Sequence, residues 1–145
     1  MFAFEFTTSP TEVPSGFALG HFRVDVDGNR VTSEGRSPDQ AFMVFVMATS
    51  LLDQVAALLT SRQRAATVVC TDSALELELR RVGKGRIEVG LGGRWLGAVE
   101  PEVLAETVFD AVVRLRDDAG LGLGDAASQD LDTAITEFRP LVAAP

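Results

Sequence analysis

The chain has 145 residues, a hydrophobic content of 46%, a formal net charge of −8 and a single cysteine. This length and hydrophobicity suit one folded α+β domain over residues 1–145 with a substantial core, and they argue against intrinsic disorder. The acidity disfavours nucleic acid as a partner, because binding to phosphates needs a cationic surface. The N-terminal sequence lacks a secretory signal pattern and no second cysteine is available for a disulfide, so we expect a cytoplasmic location.

The first part of the chain, residues 1–35, predicts antiparallel strands. Three phenylalanines alternate with small or polar residues over residues 2–7, which places them on one face of a strand. A second strand is predicted over residues 17–26. It ends at Asp27-Gly28, a pair that accepts the positive φ of a tight hairpin turn, and a short return strand follows.

The longest apolar run, Ala41–Leu59, contains Asp53 as its only charge. We predict a central helix over residues 37–61, capped by Ser37. Because this helix is apolar nearly all round, it must be buried on more than one side or lie at an oligomer seam. A membrane span is disfavoured, since Asp53 and Gln54 would be costly in lipid. We expect Asp53 to face solvent rather than a buried cationic partner.

Residues 66–98 predict further antiparallel strands. The most regular segment is ALELELRRV, in which leucines alternate with Glu76, Glu78 and Arg80. This alternation is typical of a sheet with one dry and one solvated face. Trp95 begins the last short strand and is expected in the core.

Two helices are predicted after these strands. The first covers residues 100–119 and has one apolar stripe. The second covers residues 128–139, with Ser128 as its cap and Pro140 as its stop. The order of elements predicts an α+β fold: a largely antiparallel sheet of six to seven strands packed on one long central helix, with two further C-terminal helices.

The sequence offers no pattern for catalysis, a cofactor or a metal site. A nucleophile relay needs a histidine, and the only one, His21, lies in a strand pattern. Cys70 follows an apolar stretch and is expected to be a small buried residue. The glycine-rich stretches at 83–85 and 120–124 lack the strand and helix context of a phosphate-binding loop. We therefore expect that the chain is not an enzyme.

Four short stretches occur together along most of the chain. They are Asp27-Gly28, Leu51-Leu52-Asp53, Thr71-Asp72-Ser73 before the alternating leucines, and Asp130-Leu131-Asp132 followed by Phe138. In this combination the chain resembles small bacterial domains of the actinobacterial type, some of them similar to immunity proteins that neutralise toxins of rival cells. The resemblance implies a small acidic cytosolic protein that binds another protein and has no active site.

The leading prediction is a non-enzymatic interaction domain that binds a basic protein partner, such as a toxin. Acids at the C-terminal part and on the charged strand face are the candidate contacts: Glu76, Glu78, Asp117, Asp118, Asp125, Asp130 and Asp132. The alternative is a small-ligand-binding module whose apolar pocket lies between the sheet and the central helix, lined by Phe42, Met43 and Phe45. A homodimer through spare apolar surface on that helix is compatible with either function.

Overall fold

The computed structural model describes residues 2–8, 19–35, 40–70, 75–118 and 126–143, and within these residues it has eight strands and three α-helices. In chain order the elements are β1 (Phe2–Thr8), β2 (Leu19–Val26), β3 (Asn29–Thr32), β4 (Phe42–Met43), α1 (Val44–Thr60), β5 (Ala65–Val69), β6 (Glu76–Arg81), β7 (Ile87–Leu91), β8 (Arg94–Val99), α2 (Pro101–Asp118) and α3 (Ala126–Ala143).

The strands form two antiparallel sheets of four strands each. Sheet A has the order β1-β2-β3, with β4 paired to β2, and sheet B has the order β5-β6-β7-β8. The predicted α+β class and the antiparallel pairing are confirmed. The prediction of a single sheet of six to seven strands was wrong. The reason is that α1 separates two groups of strands, and each group pairs almost entirely with its own neighbours in sequence.

Sheet A follows the alternation predicted for the N-terminal strands. Phe2 and Phe4 are buried, and the Phe4 ring stacks on Phe22 of β2 with centroids 6.1 Å apart. Asp27 and Gly28 connect β2 to β3 with φ values of 52° and 89°. Two successive residues with positive φ match the twist of a tight hairpin, so the predicted turn is confirmed.

The central helix is shorter than predicted. α1 begins at Val44, because the two residues before it are extended and form β4 against β2. Gly20 of β2 permits this close approach, since a Cβ there would lie 2.1 Å from the carbonyl oxygen of Thr7 and 2.8 Å from Cγ1 of Val44. The predicted helix over 37–61 therefore began too early in the sequence. Its proposed cap, Ser37, lies outside the described residues.

α1 is enclosed by protein, as its composition predicts. It contacts both sheets and both other helices. Its buried residues are Val44, Phe45, Met47, Ala48, Leu51, Leu52, Val55 and Leu58. Asp53 is exposed, which confirms that this carboxylate faces solvent. Among the described segments, no helix combines the length and apolar character that crossing a membrane requires.

The two C-terminal helices are present. α2 agrees with the predicted helix over 100–119 and packs against β1 and α3. α3 begins at Ala126 and continues through Pro140, so neither Ser128 as a cap nor Pro140 as a stop is correct. Ser128 is instead buried inside the helix. Pro140 lies in the last turn, where its missing N–H interrupts only one helical hydrogen bond.

The two sheets meet along β8, which lies beside β2 and β3. The Asn29 side chain donates a hydrogen bond to the carbonyl of Leu96 at 2.9 Å. Gly97 adopts a φ of 158°, and a Cβ there would lie 2.7 Å from Cγ1 of Val26. Buried residues from both sheets and all three helices form one continuous hydrophobic cluster.

Candidate functional site

Sheet B has an outer face, the side turned away from the hydrophobic cluster. Strand alternation positions this face, because the intervening residues, such as Leu77, Leu79 and Val89, point into the core. The outer face includes Thr67, Val69, Glu76, Glu78, Arg80, Glu88, Gly90 and Trp95. It is the charged strand face that the sequence predicted, with an aromatic ring added.

Trp95 lies on this outer face and is 37% exposed, so its expected place in the core was wrong. The cause is an irregularity in the β7–β8 register, where Gly90 pairs with Trp95 and Val89 pairs with Gly97. Leu96 is thus the extra residue of a bulge, and it fills the core instead. Simple alternation would have put Trp95 on the same side as the buried Val99.

The indole ring rests directly on Gly90. A Cβ at that position would lie 2.7 Å from Cε3 of Trp95, so only glycine leaves room for the ring. Arg80 covers the indole with its guanidinium carbon 3.9 Å from the ring centroid. Its Nε also donates to Oε1 of Glu88 at 2.6 Å. We call these four residues, Arg80, Glu88, Gly90 and Trp95, the Trp95 platform.

The platform holds the Trp95 ring in place at an exposed face of the sheet. The glycine and the guanidinium fix the indole from two sides, and a cation–π contact at an exposed site contributes about 0.5–1 kcal/mol. Tryptophan and arginine are also the side chains that most often dominate protein–protein binding energy. Gly90 is the sequence signal that could have revealed this site. A glycine inside an alternating strand often marks the close approach of another group, which here is the Trp95 ring.

Glu76 and Glu78 lie on the same outer face, with Glu76 exposed and Glu78 half-buried. Among the described residues neither carboxylate forms an ion pair. The pairs present nearby instead join Arg80 to Glu88 and Arg86 to Glu100. The two free carboxylates therefore form an acidic rim beside the platform.

The other predicted contact acids that the structure describes lie on α2 and α3. Asp117 and Asp118 are exposed at the end of α2. Asp132 accepts two hydrogen bonds from Arg116, at 2.7 and 3.1 Å, and so ties α3 to α2. Asp130 faces α1, and Asp125 lies outside the described residues.

A cleft of about 420 Å³ lies between α1 and α3. It is lined by Val46, Thr49, Ser50, Asp53, Gln54, Ala126, Ala127 and Asp130. Partial burial raises the pKa of Asp53, and the negative charges of Glu137 and Asp130 raise it further. The described residues contain no group of three or more His, Cys, Asp or Glu side chains that could hold a metal ion.

The three residues of the predicted apolar pocket lie in or beside the core. Phe42 and Phe45 are fully buried, and Met43 is half-buried beside them. Four cavities that described residues line are bordered by other side chains. Phe42 packs its ring edge against Phe22 at 5.4 Å, so these aromatic side chains fill the core.

The single histidine and the single cysteine of the chain, His21 and Cys70, are not part of the platform. Nδ1 of His21 lies 2.9 Å from Oγ of Ser33. Cys70 is fully buried, and burial together with the charge of Glu76 raises the pKa of its thiol to about 12. Thiolate formation at Cys70 is therefore strongly disfavoured at neutral pH.

No protein-family model, curated protein or solved structure matches the chain. The resemblance to immunity proteins consequently stays a prediction.

Proposed function

We propose that this chain is a non-enzymatic, cytoplasmic protein-interaction domain that binds a basic protein partner, in the manner of an immunity protein. The single observation that supports it most is Trp95, held on Gly90 by Arg80 at an exposed face of sheet B. An exposed aromatic ring that is already immobilised loses little conformational entropy on binding, which favours affinity.

The charges around the platform favour a basic partner. Glu76 and Glu78 lie on the same face as the ring, neither forms an ion pair within the described residues, and the whole chain carries a net charge of −8. Positive charges on a partner would steer that partner toward this face. This attraction would raise the association rate more than the final affinity. The acids at the ends of α2 and α3 would add to the long-range field.

The test is affinity capture from the source organism, followed by quantification of the bound protein and its association rate. We expect Trp95→Ala to weaken capture at least tenfold, as for a central aromatic anchor. The double variant Glu76→Lys/Glu78→Lys should slow association and flatten its salt dependence. The matched control is Glu102→Lys/Glu106→Lys, which changes the net charge equally at exposed positions of α2.

The outcomes separate local recognition from general charge. If both double variants slow association equally, the association rate depends on the net charge of the chain and not on the carboxylates of the outer face. If Trp95→Ala captures the same partner with unchanged affinity, the platform is not the binding site and the proposal fails.

A second candidate function is small-ligand binding in the α1–α3 cleft. Its volume of about 420 Å³ falls within the range of ligand sites, and Asp53 and Asp130 at its border would favour an amine. A thermal-shift screen with small amines tests this. Stabilisation that disappears in Asp53→Asn would favour the cleft, and no shift with any amine would count against it.

A further inference from the structure

The strand edges of the two sheets are protected to different degrees. At β8, the carbonyl of Leu96 accepts from Asn29, and the carbonyl of Ala98 accepts from Arg86 at 2.7 Å. At β1, Glu5 places a charge on the strand, and α2 packs against it. Side chains, charges and covering helices are the usual means by which an edge is kept from pairing with another chain.

β5 is the contrasting edge. It has the sequence AATVV, with no charge, proline or glycine, and within the described residues it pairs only with β6. The N–H of Arg81 donates to the carbonyl of Arg64 at 2.8 Å, which fixes the hydrogen-bond alternation along the pair. Because backbone groups alternate in direction, Ala66 and Val68 bond to β6. The backbone groups that point away from β6 are those of Ala65, Thr67 and Val69.

The side chains on this edge are also unusual for an exposed position. Val69 is 54% exposed, more than any other exposed large hydrophobic residue described. Thr67 is exposed beside it, and the carbonyl of Ala65 accepts from the Gln63 side chain at 2.7 Å. Within the described residues, the outward N–H and carbonyl groups of Thr67 and Val69 pair with no strand, so they form a template for another one. On the described part of α1, no large hydrophobic residue is as exposed as Val69.

We propose that β5 is a dimerisation edge, to which β5 of a second copy of this chain binds antiparallel about a two-fold axis at Thr67. The N–H of each Thr67 then donates a hydrogen bond to the carbonyl oxygen of Thr67 in the other copy. Ala65 comes opposite Val69, which pairs a small side chain with a larger one. β5 contains no charged residue, so no like charges come opposite each other when two copies of it pair. The strand is therefore complementary to itself, as an isologous interface requires.

This register is also consistent with the core. Centring the pair on Thr67 keeps Ala66 and Val68 on the core side in both copies, whereas a slip by one residue would turn one set outward. The result is one continuous sheet of eight strands. The axis is perpendicular to that sheet, so both outer faces and both Trp95 platforms turn to the same side.

The first test is sedimentation equilibrium of the full chain over a wide concentration range. We expect the wild-type chain to form a dimer. Thr67→Pro removes the N–H that points away from β6, and Val69→Lys puts a charge on the edge. Each should raise the dimer dissociation constant at least tenfold. The control Val103→Lys changes a residue of similar exposure, 42%, on α2 and should leave dimerisation unchanged.

The second test fixes the register and does not depend on a proline variant that folds. Thr67→Cys should give a covalent dimer with a short bismaleimide, because opposite residues in a hydrogen-bonded pair lie about 5.5 Å apart at Cα. Val103→Cys should not, and wild-type Cys70 should stay unreacted because it is buried.

Three results would overturn the proposal. They are a wild-type chain that remains monomeric at every concentration, equal weakening by Val69→Lys and Val103→Lys, and equal cross-linking of the two cysteine variants. A monomer that instead binds an extended peptide at β5 would overturn the second copy as the occupant. None of these results depends on whether Trp95 binds a partner.

Discussion

Replacing Gly90 by alanine should lift Trp95 from sheet B while leaving the rest of the fold in place. The new Cβ would lie 2.7 Å from Cε3 of the indole, and because the ring is 37% exposed it can move outward. The contact with Arg80 is then lost, at about 0.5–1 kcal/mol. Exposing roughly 40 Å² more of the ring costs about 1 kcal/mol.

A gain partly offsets this loss. Alanine is favoured over glycine within a strand by about 0.5–1 kcal/mol, since the unfolded chain has less freedom to lose. We therefore expect Gly90→Ala to lower the free energy of unfolding by about 1 kcal/mol, well short of unfolding the protein.

Intrinsic fluorescence reports the same event directly, because the chain has one tryptophan and no tyrosine. In Gly90→Ala the emission should shift to the red and acrylamide quenching should increase. The matched control is Gly83→Ala, where a Cβ meets no atom within 4 Å. If emission, quenching and urea stability of the two variants agree within error, the indole does not rest on Gly90 and the platform does not exist as described.

Three further substitutions test other parts of the structure. Gly20→Ala puts a Cβ 2.1 Å from the backbone oxygen of Thr7, and we expect a loss of at least about 2 kcal/mol in urea denaturation; a smaller loss would mean that β1 and β2 separate easily there. Arg116→Ala should cost about 1 kcal/mol by removing the paired hydrogen bonds to Asp132, whereas a change near zero would show that the pair is fully screened. Burial raises the pKa of Asp53 in the folded state above its usual value of 3.8. Above pH 3.8 the folded state therefore binds more protons than the unfolded state, and the wild-type chain loses stability as the pH rises through the folded-state pKa. Asp53→Asn should therefore melt at a higher temperature than wild type near neutral pH and lose this advantage near pH 4, and pH-independent melting differences would contradict the shift.

Much of the secondary structure could be predicted because it depends on local periodicity. The alternating phenylalanines of β1, the alternating leucines of β6 and the apolar stripe of α2 each bury one face, and burial follows directly from spacing. The turn at Asp27-Gly28 was also predictable, since few residue pairs accept two positive φ angles.

The errors arose where a distant segment competes with a local preference. The residues before Val44 continue the apolar run, yet they pair with β2, which sequence spacing does not reveal. Trp95 depends on a bulge opposite Val89 and Gly90, and a bulge reverses the face of every residue beyond it. The candidate site was therefore predicted only in part. Glu76 and Glu78 were correctly placed on a solvated face, but Trp95 beside them was wrongly assigned to the core.

The separation of the two sheets along the chain has a consequence for how the molecule folds. All pairings of sheet B join strands that follow one another, and in sheet A only β2–β4 skips a strand. Short loops close at low entropic cost, so each sheet can assemble as a series of hairpins before distant segments meet. We therefore expect the strand pairings to form early in folding, before α2 docks onto β1 and α3 docks onto α1 and α2.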